Sequence, residues 1–290
     1  MASLQDIRRR IKSVKSIQQI TKAMKMVAAA RLRRAQEAAV ANKPYAAKMR
    51  QVITDIASKA GDDVDHPLLK VREDGKKLYL VIASDKGLAG AYASSVFKEA
   101  VAHIGDKATA DLIVVGKKTK EHFGNRDYTI VKDFIGISER PAYDDARRIA
   151  QDLIRRFTEG EYKEVCMVYT RFVSAISAVP TTIQLLPFAG LGEGEVKSAG
   201  TEYIYEPSAG EVLGFLLPQY LVTTIYAALL QASASELSSR MTAMSNATDN
   251  AQELIQKLDL HYNKVRQANI TREITEIVGG AEALKKGGFH

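Results

Sequence analysis

With 290 residues, 46% of them hydrophobic and 26% charged, the chain has the composition of an ordinary soluble protein and the length for one to three domains. Its single cysteine, Cys166, excludes an intramolecular disulfide and a cysteine-based metal site, and its five histidines form no His-x-x-x-His pair, so no metal or other cofactor is expected. The net charge of +7 is concentrated at one end: residues 1–50 hold thirteen Lys/Arg against two acids, Asp6 and Glu37, which leaves the remainder slightly acidic.

No run of about 18 apolar residues is present, so no direct membrane span is expected. The N-terminus lacks an apolar signal region. It is Arg-rich and acid-poor like a transit peptide, but a helical pattern continues past residue 40, and the segment reads as structure.

From Met1 to Lys43 there is neither Gly nor Pro. Ile7, Val14, Thr21, Ala28 and Ala35 fall at sevenfold spacing, flanked by Ile11, Ile17, Met24, Leu32 and Ala38. A repeat of that period held this long predicts a coiled-coil seam. Pro44 predicts a kink or a break, because it removes a backbone hydrogen bond and clashes one turn back. Helical pattern resumes to about Lys59.

Residues 76–190 alternate strand and helix. "KLYLVIAS" (77–84), "DLIVVG" (111–116), "YTIVKDFI" (128–135), "EVCMVYTRFV" (164–173) and "PTTIQLLPF" (180–188) are β-rich runs. "AYASSVFKEAVAHI", "KKTKEHFG" and "YDDARRIAQDLIRRFTEG" separate them as helices. That order predicts a Rossmann-like α/β domain with a mostly parallel sheet. Residues 61–75 and 189–210 read as connecting loops.

From Gln219 to Val278 there are 60 residues without Gly or Pro. As one helix they would reach roughly 90 Å at about 1.5 Å per residue. Leu230, Leu237, Met244, Ala251, Leu258 and Val265 keep the sevenfold spacing, with Ala234, Met241, Thr248, Ile255 and Tyr262 four residues after seam positions. Two long terminal helices, each with a narrow apolar seam, bury those seams by pairing. The expected architecture is α/β: a long antiparallel two-helix coiled coil from residues 1–60 and 211–286, carrying the α/β domain as an insertion. Small seam residues let the backbones approach closely.

"SDKGLAGAY" (84–92) follows a strand and opens a helix, where α/β folds bind phosphate on backbone amides. Gly87 and Gly90 do not make G-x-G-x-x-G, and Asp111 stands where a P-loop ending at Gly116-Lys117-Lys118-Thr119 needs its first Gly. A tight turn on a protein-contact surface is the expected reading, with a nucleotide-using enzyme as an alternative. Asp62-Asp63 and Asp144-Asp145 are sequence neighbours that do not face each other on a helix; they read as solvated charge. Cys166 reads as a small core filler. No arrangement of an active site emerges.

The basic stretch "ITKAMKMVAAARLRRAQ" (20–36) spreads Lys22, Lys25, Arg31, Arg33 and Arg34 around the helix. A membrane-surface helix would gather them opposite a broad apolar face. Such a helix fits an enclosing partner that is acidic inside; a basic coiled coil that binds nucleic acid is the alternative.

Three blocks carry a family resemblance over nearly the whole chain. "IRRRIKSVKSIQQITKAMKMVAAARLRRAQ" (7–36), "SDKGLAGAY" and "ITREITEIVGGAEAL" (270–284) resemble the gamma subunit of F-type ATP synthases. In the last block Ile270, Thr271, Glu273, Glu276, Gly280 and Ala281 occupy the expected places. The resemblance implies a non-catalytic central-stalk rotor, one copy per complex, turned by proton flow inside a ring of alpha and beta subunits. Its lopsided faces would set the nucleotide affinity of each catalytic beta subunit. It also implies contacts with the epsilon subunit and the membrane rotor c-ring, no nucleic acid, and a peripheral place on the cytoplasmic face of the bacterial inner membrane.

Carried over by position, the resemblance puts Lys22, Met24 and Lys25 beside the acidic lever segment of the beta subunits. It puts Arg266 and Gln267 against a loop of the catalytic ring, with Ile270, Thr271, Glu273 and Ile274 beside them. Ile277, Val278 and Leu284 would run in an apolar sleeve. Tyr205, Glu206 and Pro207 match the region touching epsilon and the rotor ring. The cysteine pair of the chloroplast type is missing, so no thiol switch of that kind is expected. The tail "KKGGFH" after Leu284 matches no motif and is expected to be unstructured.

Overall fold

The computed structural model describes residues 3–60, 66–188, 206 and 208–287. Among the described residues five α-helices and five strands follow one another: α1 (Leu4–Ala60), β1 (Lys76–Ile82), α2 (Tyr92–Ile104), β2 (Ala110–Val115), α3 (Lys117–Gly124), β3 (Ile130–Phe134), α4 (Tyr143–Thr158), β4 (Tyr162–Ser174), β5 (Ser177–Leu186) and α5 (Ala209–Gly287). The two terminal helices, of 57 and 79 residues, pack together, and the sheet is inserted between them in sequence. The described chain divides into two compact units, Met1–Val27 with Ala243–His290 and Ala28–Thr242.

The second unit holds the sheet, in the order β3-β2-β1-β4-β5. The β1–β2, β1–β4 and β2–β3 pairs are parallel, and β5 closes the edge antiparallel to β4. A strand sends successive side chains to opposite faces, and here both faces are covered. Tyr79, Val81, Leu112 and Val114 meet Val96, Phe97 and Ala100 of α2 and Phe123 of α3. Leu78, Leu80, Ile82, Ile113 and Met167 meet Ile149, Leu153 and Phe157 of α4. Cys166 is buried on the α2 side, where burial pushes its thiol up to about 12, so it is a filler and no nucleophile.

The second face has further cover. Ile53 and Ile56 of α1 and Leu213, Leu217, Leu221, Ile225 and Leu229 of α5 belong to the same core. Each fully buried Leu or Ile contributes about 1.5–3 kcal/mol. That burial outweighs the local cost of two prolines. α1 runs without a break through Pro44, and α5 begins at Ala209, two residues ahead of the expected shaft boundary at 211, and passes through Pro218. Each proline forfeits one intrahelical bond, while buried side chains anchor the helix on either side of it. At its other end α5 continues through Gly279 and Gly280 to Gly287, so Lys285 and Lys286, expected in an unstructured tail, are helical. A window of α5 is also long and apolar enough to cross a membrane by composition, although no such run is expected from the sequence; its leucines face the sheet.

The turns after β1, β2 and β3 are tied together by one carboxylate. Asp85 accepts the backbone N–H groups of Gly136 at 2.8 Å, Lys117 at 3.0 Å and Ser138 at 3.0 Å, and its own N–H donates to Ser138 Oγ at 3.0 Å. Burial opposes its charge, but these donors win and hold its carboxyl below the usual range. Beside it Gly116 has φ +99°, and a Cβ there would stand 2.6 Å from the Ala83 carbonyl oxygen and 2.7 Å from that of Ser84. Asp145, expected as solvated charge, is buried: its carboxylate accepts the Ala142 N–H at 2.8 Å at the start of α4 and pairs with Arg148. An acid at a helix N-terminus fills a backbone donor that would otherwise be orphaned. Asp62 and Asp63 lie outside the described residues.

Two outcomes are expected. Gly116→Ala forces both a left-handed backbone on a residue with Cβ and a clash with two carbonyls, and should lower unfolding stability by about 2–5 kcal/mol in denaturant titration. Asp85 has a folded pKa below its unfolded one, so its contribution is complete above the unfolded value and disappears as pH falls through the folded value. Denaturation midpoints should therefore drop as pH is lowered through the carboxylate range, and Asp85→Asn should weaken that dependence while being less stable at neutral pH.

Candidate functional site

The candidate site is the pair of terminal helices. In the first unit their contacts run in opposite senses along the two helices. Arg8 Nε donates to Tyr262 Oη at 2.8 Å, Gln18 Nε2 to Gln252 Oε1 at 2.7 Å, and Lys25 Nζ to Ser245 Oγ at 3.0 Å. Between them Val14 packs with Ala251 and Ile255, with Leu258 alongside. Thr21 Oγ1 and Thr248 Oγ1 share a hydrogen bond of 2.8 Å inside the seam. A buried hydroxyl pair satisfies itself at little cost, and its short side chains keep the backbones close.

Of the seam positions read from the repeat, Ile7, Val14, Thr21, Ala28, Leu237, Met244 and Ala251 are buried, and Ala35, Leu258 and Val265 are half-buried. Leu32, Ala234 and Ile255, read as flanking or secondary positions, are buried as well. In the second unit Leu32 packs on Ala234 and Leu237, and Phe172 of β4 joins them with Ala35 and Met241.

Around the seam the outer faces are free. Lys22 and Lys25 are exposed and Met24 is half-buried. Residues 266–282 of α5, which include Arg266, Gln267, Thr271 and Glu273, are all exposed. Within that stretch Ile270 is 48% exposed, Ile274 55%, Ile277 71% and Val278 60%, at spacings that put them along one side of the helix. Leu284 lies within the helical span, with its side chain outside the described residues, as Tyr205 and Pro207 are in full; Glu206 is exposed.

A buried ionic cluster joins helices to sheet within the second unit. Arg240 donates to Glu236 Oε1 at 2.6 Å and to the Gly87 carbonyl oxygen at 3.3 Å, and lies 3.4 Å from Glu139 Oε1. Glu139 also receives Arg31 of α1 and, at 3.1 Å, Lys86. Glu236 is 1% exposed, and burial raises its pKa against the pull of Arg240. Removing one partner of a buried pair costs about 3–5 kcal/mol, because the other charge is stranded. The motif around Gly87 is thus a fastening of the sheet to α5. Sequence reasoning missed Glu236 and Arg240; their spacing of four inside a run of Ala, Ser and Leu was the available signal. Among the described residues, no group of His, Cys, Asp and Glu could hold a metal ion.

A family model described as ATP synthase matches residues 3–284. The chain is 46% identical to the ATP synthase gamma chain of Pelotomaculum thermopropionicum, over 98% of this chain and 100% of that one. It is 46% identical to the ATP synthase gamma chain of Moorella thermoacetica over the same shares. Among solved structures, a chain in the central stalk/c-ring structure of the Tetrahymena thermophila mitochondrial ATP synthase is similar with a TM-score of 0.63 and 27% identity, over 79% of this chain and 99% of that one.

Ala251 is 7% exposed in the seam, so Ala251→Trp should force the helices apart at a cost of about 1–3 kcal/mol or more, read as a lowered melting temperature of the helical signal. Trp at exposed Leu260 should leave that temperature unchanged within error.

Proposed function

The chain belongs to the ATP synthase gamma chain family, the non-catalytic central-stalk rotor of that complex, and from this premise we propose how its surfaces transmit rotation. The α1–α5 pair passes through a ring of alternating alpha and beta subunits, driven by proton flow. Each catalytic beta subunit meets a different side of it. A ligand or partner shifts a conformational equilibrium only through unequal interaction with the alternative states, and a two-helix pair, lacking threefold symmetry, supplies unequal contacts to three equivalent neighbours.

The observation that carries this reading is the exposed stripe Ile270, Ile274, Ile277 and Val278 on α5. A line of large apolar side chains in water marks a surface that another protein covers. In the assembled complex that cover is an apolar sleeve, with Leu284 further along, while Arg266, Gln267, Thr271 and Glu273 supply polar contacts to a ring loop. Lys22, Met24 and Lys25 pass the acidic lever of the beta subunits. Attraction between exposed charges is weak and screened by salt, which lets a turning surface follow its partner without being trapped by it. Tyr205, Glu206 and Pro207 meet the epsilon subunit and the c-ring, and the complex sits on the cytoplasmic face of the bacterial inner membrane.

Reconstitution with alpha and beta subunits tests the proposal. The chain alone should hydrolyse no ATP and should co-purify with three copies of each. Ile277→Asp together with Val278→Asp should reduce ATP-driven proton pumping about tenfold while the isolated chain keeps its melting temperature. Full pumping by that double variant would remove the stripe from the mechanism, and assembly of a coupled complex without the chain would remove the rotor reading altogether.

A further inference from the structure

The groove between α2 and α3 takes no part in the reading above. It is an open groove of about 770 Å³, walled by the 84–90 turn, by Phe97 and Val101 of α2, and by Lys118 and His122 of α3. Small-molecule sites span about 300–1,000 Å³. The stretch of α2 that lines it, Ala93 to Ala102, is about 13 Å long at the helical rise.

Its middle is apolar and flat. Phe97 stacks on His122 with ring centroids 4.1 Å apart and planes 24° from parallel. Leu88, whose φ is +64°, is 66% exposed, and Val101 is 40% exposed. Burial, with Arg126 nearby, lowers the His122 pKa, so the stacked ring is neutral at physiological pH.

The rim is cationic. Lys86, Lys98, Lys118 and Arg126 line the groove against a single acid, Glu121, which is already held by Lys118 at 2.6 Å. Among the described residues Lys98 makes no hydrogen bond or ion pair. Lys86 and Lys118 stand at the end nearest the strand termini, beside the start of α2, whose first turn has no acid and no side-chain cap. An anion is favoured there by both the side chains and the helix terminus.

We propose that this groove binds a nucleoside phosphate, with the base against the Phe97–His122 stack and the phosphates between Lys86 and Lys118. Neither Gly-rich phosphate fingerprint is present, so the anion is held by flexible side chains and the affinity is modest. The ligand acts as an effector through the turn it touches. Lys86 is the link: it also bridges to Glu139, which holds Arg31 and Arg240. A phosphate that draws Lys86 away leaves Glu139 to the two arginines and loosens the turn from the helices.

Calorimetric titration of the full chain with ADP at low salt tests this. One saturable site is expected, weakened by added salt, with adenosine and pyrophosphate each competing less well than ADP. Lys118→Glu and Lys98→Glu should each weaken ADP binding about tenfold or more, since each reverses a charge at the site. Lys15→Glu, an exposed position on α1, should leave it unchanged. Melting curves of all variants confirm folding. The proposal fails if no saturable binding occurs up to about 1 mM ADP, a free energy of only about −4 kcal/mol. It fails equally if Lys15→Glu weakens binding as much as Lys118→Glu, or if pyrophosphate binds as tightly as ADP.

Discussion

Everything in this molecule depends on how narrow a seam holds two very long helices. Val14, Thr21, Ala251 and Ile255 close it in one unit, and Leu32, Ala234 and Leu237 in the other. A broad apolar stripe would bury more surface per turn, but it would demand a third helix to cover it. With small residues in the seam, one partner suffices in the first unit, and most of α1 and residues 266–282 of α5 stay open to solvent. That openness is the functional asset, since a protein that works by touching neighbours needs faces left over after folding.

α5 serves two kinds of neighbour along its length. Leu213 to Leu229 face the sheet together with α4, whereas Met244, Ala251 and Ile255 turn toward α1. The transition is marked by charge. Glu236 and Arg240 are buried just after the sheet-facing leucines and pair with each other, and Arg240 also reaches Glu139 and the Gly87 carbonyl. A buried ion pair is weak evidence for stability and better evidence for uniqueness. Here it selects one seating of the sheet on the helix, because sliding by a turn would strand three charges.

Much of this was legible in the residues. Alternation of β-branched runs with helical segments located every strand and helix of the sheet to within a few residues, since hydrophobic period is a local property. The antiparallel placement of β5 was not, because the residue pattern of an edge strand reads the same in either direction. Of the two outcomes read for Pro44, a kink or a break, the break does not occur: the cost of a proline is local, and the core that outweighs it is assembled from residues far apart in sequence. The sevenfold repeat pointed to Val14, Thr21 and Ala251, yet it could not distinguish a leucine facing a helix from one facing a sheet. Asp85 was invisible for a related reason, as its three donors come from turns more than thirty residues away.

The polar pairs across the helices have a mechanical consequence. Gln18 with Gln252, Thr21 with Thr248 and Lys25 with Ser245 act like pegs in matching holes. Slippage of one helix past the other would break all three pairs and leave the buried Thr21 hydroxyl without its partner, so axial creep is opposed even though the greasy contact is slight. A drive member built this way loses little angle to backlash when its load reverses.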